Sequence, residues 1–122
     1  MSENANPSAP DPDELDALRA APEHHTLLFE NAEVRVLETL IPPGERTKVH
    51  THCWPGVLYF LSRSAFVRRD GDGNVMLDSR ARPAQSNPPD ATWTPPFPPH
   101  SLENVGSTDI RVIAVELKRA AG

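Results

Sequence analysis

Two histidines one residue apart, His50 and His52, are the clearest chemical signal in this sequence. Residues 48–52 have strand character, and on a strand residues two apart project from the same face. Two imidazoles then point side by side toward one place, the spacing a metal ion needs from a strand. A third ligand must come from elsewhere in the chain, and His100 is the remaining histidine of the region that reads as folded. Three imidazoles suit zinc, iron, nickel, manganese or copper and leave coordination positions for water or a ligand. His24 and His25 fall where an N-terminal tail joins that region, and they are read as non-ligands. Other catalytic patterns are missing: the sequence has no GxSxG, P-loop, GxGxxG or CxxC pattern. Its one cysteine, Cys53, has neither an assignable base nor an orienting group beside it.

The elements that must position these histidines are short β-runs. Segments 26–29, 34–41, 48–52, 57–61, 65–69, 75–78, 91–94, 100–105 and 110–117 are rich in β-branched and aromatic residues. Turn chemistry separates them, at Pro42-Pro43-Gly44, Pro55-Gly56, Asp70-Gly71-Asp72-Gly73-Asn74 and residues 106–109. Eight or nine strands at this spacing predict an all-β sandwich or barrel. The Asp-Gly-Asp-Gly-Asn run reads as a hairpin turn; it lacks the further ligands and closing glutamate of a calcium loop. Residues 80–89 read as a surface loop.

Charge divides the chain. Of the net charge of −5, residues 1–25 supply six acids and one base, and the rest is balanced at eleven of each. Residues 1–25 therefore read as an acidic tail and 26–122 as one barrel. Residues 1–10 are expected to be disordered. A short helix is expected from an Asp11 N-cap to the stop at Pro22, too short to persist without docking. A neutral body without a basic stripe predicts neither nucleic acid nor an anionic membrane as partner. With no span of about 20 apolar residues, no leader-like N-terminus and one cysteine, a cytoplasmic location is expected.

Two longer motifs carry a resemblance. Five residues separate Gly44 from His50-Thr51-His52, and Pro95-Pro96-Phe97-Pro98-Pro99 runs into His100, with three residues between it and Asn104. Together these resemble the two signature motifs of the cupin superfamily, over nearly the whole of residues 29–117. The resemblance implies a jelly-roll (double-stranded β-helix) barrel holding a divalent metal in its mouth through His50, His52 and His100, and a homodimer. The sequence also departs from the pattern. Gly56 stands where the family places a metal-binding glutamate, Arg63 replaces the first motif's later glycine, and Phe97 replaces the second motif's glycine. Three neutral imidazoles leave the metal's 2+ charge uncompensated, which favours an anionic bidentate ligand.

Several residues are candidates to complete such a site. Cys53 is out of phase with the histidines unless Pro55-Gly56 bulges the strand; it is a possible auxiliary ligand, and more naturally a packing thiol. Glu38 is in phase with Val34, Val36 and Leu40, and becomes a buried carboxylate if that face turns inward. Glu116 shares a face with Ile110, Val112 and Ala114 and poses the same question; for both, a solvated or rim position is the plainer reading. Continuing the phase of His50 and His52 turns Leu58 and Phe60 inward and Tyr59 and Leu61 outward. Phe60, Leu58, Trp93, Phe97 and Trp54 are candidates for a dry, aromatic pocket. Arg68 and Arg111 are read as outer-face residues able in principle to clamp a carboxylate. The expected activity is dioxygenase-like chemistry on a small organic acid, thiol or diketone. An isomerase, lyase or cyclase at the same site, or a non-enzymatic metal- or small-ligand-binding sensor, is the alternative.

Overall fold

The computed structural model describes residues 12–83 and 88–118. Among the described residues nine strands form: β1 (His25–Glu30), β2 (Val34–Ile41), β3 (His50–His52), β4 (Gly56–Ser62), β5 (Phe66–Asp70), β6 (Val75–Asp78), β7 (Ala91–Thr94), β8 (Phe97–Asn104) and β9 (Ile110–Leu117). They make a five-stranded sheet in the order β1-β2-β9-β4-β7 and a four-stranded sheet in the order β3-β8-β5-β6. Every pairing between these strands is antiparallel. The β5–β6 hairpin turns on Gly73, whose φ of +92° suits a residue without a side chain, and Asp70 accepts the amides of Asp72 and Asn74.

Strand alternation decides what faces the interior. On β9 the buried residues are Ile110, Val112, Ala114 and Glu116. Their partners on β2 are Ile41, Thr39, Leu37 and Arg35, so the inner face of β2 is the one carrying Arg35. The opposite β2 face, with Glu38 and Leu40, turns outward, where Glu38 pairs with Arg111. Both faces of β2 carry aliphatic residues, so apolar alternation does not choose between them; the complementary charge across the strand at Glu116 does.

Two apolar clusters hold the sheets together. Ile41, Ile110 and Val112 pack with Leu58, Phe60, Phe66 and Leu102 from both sheets. Ala17, Leu37 and Ala114 form the second, joined by Leu18 and Leu58. Ala17 belongs to the N-terminal segment, which docks instead of trailing. A 3-10 turn (Pro12–Leu15) leads into α1 (Ala17–Ala20), capped by the Asp16 carboxylate accepting the Leu18 amide at 3.1 Å. Asp16 also forms a parallel bridge with Thr51, inside the histidine strand. Four residues of helix are too few to hold themselves; burial of Ala17 and Ala21 holds them here. The anticipated Asp11 cap and the expected disorder of residues 1–10 lie outside the described residues, as does part of the 80–89 loop. No helix among the described residues is long and apolar enough to cross a membrane.

Asn104, the asparagine of the second motif, is fully buried. Its amide donates to the carbonyls of Ile41 (2.8 Å) and Thr108 (2.7 Å) and its Oδ1 accepts the Gly106 amide (2.9 Å). It therefore clamps the end of β2 to the β8–β9 turn, a purely structural task.

Candidate metal centre

Strand register brings the histidines together. His50 on β3 lies directly opposite His100 on β8, with their ring centroids 4.5 Å apart. His52 is 5.1 Å from His50 and 5.8 Å from His100. A fourth ring joins them: His25, the first residue of β1, lies 4.5 Å from His50 and 5.5 Å from His52. The candidate ligand atoms of His25, His50 and His52 all fall within 4.8 Å of one another. The sequence alone places His25 at the tail junction as a non-ligand; the structure corrects this by bringing its ring into the histidine cluster. Nothing in the sequence links it to a pair of histidines 25 residues on, because only the docking of the N-terminal segment aims it inward.

The second nitrogen of each ring shows how the four are held. Nδ1 donates to a backbone carbonyl in three of them: Ala21 for His25 (2.9 Å), Lys48 for His50 (2.7 Å) and Pro98 for His100 (2.8 Å). A carbonyl can only accept, so Nδ1 carries the proton and Nε2 keeps its lone pair. His52 differs, because its Nδ1 lies 2.8 Å from the Glu116 carboxylate. A carboxylate or carbonyl behind each ring is the arrangement that fixes the tautomer and orientation of metal-binding histidines.

Glu116 is itself held. It is 3% exposed, and Arg35 Nε donates to its other oxygen at 2.7 Å. Arg35 in turn grips both oxygens of Asp16, at 2.7 and 3.0 Å, and lies over the Trp54 ring. The rim position expected for Glu116 is therefore corrected: it sits inside, in a chain running from Asp16 through Arg35 to Glu116 and His52. Burial works against the Asp16 carboxylate, yet Arg35 holds its pKa below the usual value. Burial works likewise against the Arg35 charge, and the two carboxylates more than offset it.

Burial also keeps the other imidazoles neutral. The His25 pKa is pushed down to about 4 by desolvation and then by His52, His24 and His100, against its bond to Ala21. Desolvation and the neighbouring rings push His50 down to about 2. His100 falls to about 4 through desolvation, His52 and Arg68, against its bond to Pro98. At neutral pH these three rings are unprotonated; His25 and His50 share one cluster of ligand atoms with His52, and His100 stands beside that cluster, opposite His50. The donor set fits a divalent transition metal: neutral nitrogens, each with its far side anchored.

Gly56, where the sequence departs most from the family pattern, faces this centre. It is paired with Glu116 on one side and Thr94 on the other. A Cβ at position 56 would overlap the Val115 carbonyl oxygen and lie 2.9 Å from its carbon and 3.1 Å from Glu116 Cα. No side chain fits there, and the carboxylate of this row comes from Glu116 on the neighbouring strand.

The histidines open on a cavity of about 400 Å³ between the sheets. Leu58, Phe60, Phe97 and Trp54 line it, and so do Glu116 and Arg68. Glu38 and Trp93 are absent from its wall: Glu38 sits on the outer face with Arg111, and Trp93 is 58% exposed. Cys53 is exposed and absent from the cavity wall; partial desolvation and then the Asp16 carboxylate raise its pKa.

With nine antiparallel strands in two facing sheets and histidines inside one end, the chain has the cupin, or double-stranded β-helix, fold. Solved structures agree. A cupin domain from Bordetella pertussis superposes with a TM-score of 0.58 at 20% identity, covering 76% of this chain and 90% of that one. A conserved double-stranded β-helix protein from Klebsiella pneumoniae gives 0.53 at 18% identity, covering 96% and 95%. The polyketide cyclase RemF from Streptomyces resistomycificus gives 0.50 at 18% identity, covering 90% and 78%. In sequence, the chain is 22% identical over 89 residues to an uncharacterized protein of Methanocaldococcus jannaschii; 73% of the chain aligns, spanning 64% of that protein's length. No known protein-family profile matches.

Proposed function

We propose that this protein is a small cupin that holds one divalent transition metal through His50, His52 and His100, joined by His25, and acts on a small organic molecule in the adjoining cavity. One observation carries this reading: four imidazoles gather at one end of the cavity, three of them buried and His52 half-buried, each with Nδ1 at hydrogen-bond distance from an oxygen. A satisfied core histidine needs no such company, and the rings of His25, His50 and His100, with the proton on Nδ1, keep an Nε2 lone pair that a cation would take up. Bound there, the metal supplies Lewis-acid polarisation of a chelating oxygen or sulfur donor and, if redox-active, electron transfer.

The chain's own residues supply the rest. Glu116 orients His52, and Arg35 and Asp16 fix Glu116. The aromatic and aliphatic wall excludes water from the ligand. The unprotonated rings of His25, His50 and His100 would leave the 2+ charge of a bound metal uncompensated, so an anionic chelating ligand such as an enolate, thiolate or carboxylate is favoured. This supports dioxygenase-like chemistry on a small organic acid, thiol or diketone. Cyclase, isomerase or lyase chemistry, or ligand sensing, would use the same centre without oxygen uptake. A homodimer is proposed as well, supported by Leu27, Leu28 and Phe29, each about half exposed along the edge strand β1.

Metal analysis of the untagged protein tests the centre. About one equivalent is expected in the wild type, with clear loss in His50→Ala and His25→Ala. Substoichiometric metal in the wild type after loading sinks the proposal. Oxygen uptake by iron-loaded protein over thiols, β-diketones and catechols then tests the dioxygenase reading, and silence across the panel removes it.

A further inference from the structure

The cavity holds a cation that its own wall does not neutralise. Arg68 on β5 lies opposite Leu102 on β8, two residues from His100, and all three line the cavity. Its guanidinium lies 5.1 Å from the centre of the Phe97 ring and 6.0 Å from that of Phe66. Phe97 in turn sits 5.0 Å from His100. The outer-face position expected for Arg68 is thus corrected.

Other arginines of the structure have partners. Arg35 is held by Asp16 and Glu116, Arg69 by Glu103, Arg80 by Asp78 and Arg111 by Glu38. Arg63, also in the cavity wall, donates to the Pro89 carbonyl and stacks on Phe60. Arg68 has neither an ion pair nor a side-chain hydrogen bond among the described residues, and Arg82 lines the same wall without an ion pair. Burial and the nearby Arg82 both work against the charge on Arg68. Two like charges at the edge of an apolar cavity are unfavourable by themselves and become favourable when an anion lies between them.

We propose that Arg68, assisted by Arg82, is a carboxylate-recognition site, so that the ligand of this cavity is an aromatic or unsaturated acid whose ring packs on Phe97 and whose carboxylate meets the guanidinium fork. This rests on the cavity being the ligand site, as proposed above. A planar guanidinium offers two parallel N–H donors to a carboxylate, a match that an amide of the same shape cannot make. Phe97, between Arg68 and His100, sets the distance between the acid group and the end of the ligand facing the histidines.

Benzoate and benzamide, nearly equal in shape, test the assignment. Binding to the full chain is followed by heteronuclear NMR titration after chelator treatment, so that no metal competes for the carboxylate; the same spectra report that the protein is folded. Wild type should bind benzoate at least about tenfold more tightly than benzamide, as expected for a charge-assisted pair. Arg68→Gln should lose that preference while retaining the wild-type zinc stoichiometry, and Arg68→Lys should keep part of it. Equal binding of the two probes by wild type, or a preference that survives in Arg68→Gln, overturns the assignment. Zinc stoichiometry is read separately on reloaded protein: failure of zinc to bind would refute the metal centre, whereas a wild type that binds zinc when reloaded but shows no benzoate preference in its metal-free form would refute only the acid site.

Discussion

Restoring the glutamate of the family pattern, by Gly56→Glu, would be expected from sequence alone to add a ligand and tighten metal binding. The structure predicts the reverse. A Cβ at position 56 overlaps the Val115 carbonyl oxygen and lies 2.9 Å from its carbon and 3.1 Å from Glu116 Cα, all backbone atoms that cannot rotate aside. Strands β4 and β9 would have to part by about an ångström to reach ordinary contact. That strains the Gly56–Glu116 pairing and the bond from the Leu117 amide to the Pro55 carbonyl, now 2.8 Å. Overpacking costs about 1–3 kcal/mol and each hydrogen bond lost about 1 kcal/mol, a total of about 3–5 kcal/mol. For a domain of this size that lowers Tm by at least about 10 °C. Because Glu116 is the residue displaced, His52 loses its anchor, and metal affinity falls too. The assay is thermal unfolding by circular dichroism with zinc competition against a chromophoric chelator, on Gly56→Glu and Gly56→Ala. The alanine variant carries the same clash without the carboxylate and should lose comparable stability. Either variant melting within a few degrees of wild type, or tighter zinc binding by Gly56→Glu, would refute the reasoning.

Two further outcomes follow from the same site. Glu116→Gln keeps the shape behind His52 but removes the charge that Arg35 and His52 share, so zinc affinity should drop about 10–100-fold, measured by chelator competition; an unchanged affinity would show that Glu116 serves the fold alone. The metal-free protein should lose stability as pH falls from about 6.5 toward 4. In that window unfolding lets His25, His50 and His100 take up protons that their lowered pKa values deny them in the folded state. The unfolded chain then binds more protons, so stability rises with pH, is complete above about 6.5, and falls by up to about 1.4 kcal/mol per pH unit for each histidine. Urea midpoints that stay constant between pH 7 and 4.5 would contradict this.

Much of the fold is legible in the sequence. The bounds expected for 34–41, 75–78, 91–94 and 110–117 match the strands observed, because Pro, Gly and Asp clusters punctuate a chain with no competing helical period. The phase of His50 and His52 carries through position 56, turning Leu58 and Phe60 to the cavity and leaving Tyr59 and Leu61 about half exposed. Trp93 shows where such extrapolation stops. It lies on β7, whose phase is set by pairing with β4: Trp93 stands opposite Val57, not opposite Leu58. Hydrophobicity alone did not contain that register.

The site was legible where spacing is local and illegible where it depends on which strands become neighbours. Gly56 and Glu116 make the point together. Gly56 alone reads as the loss of a ligand, and Glu116 alone reads as a polar residue at a rim. In the sheet they stand side by side in one row, with Arg35 on the far side of Glu116 and Thr94 on the far side of Gly56. The residue without a side chain lets the strands approach closely, and the carboxylate beside it reaches His52 Nδ1 instead of occupying a ligand position of its own. The negative charge of the row has moved behind an imidazole, where Arg35 compensates it. His25, brought in by a docked helix whose Asp16 holds that same Arg35, supplies another neutral nitrogen. A metal held this way would retain its charge, and a cavity that also presents Arg68 would then be electrostatically matched to an acid.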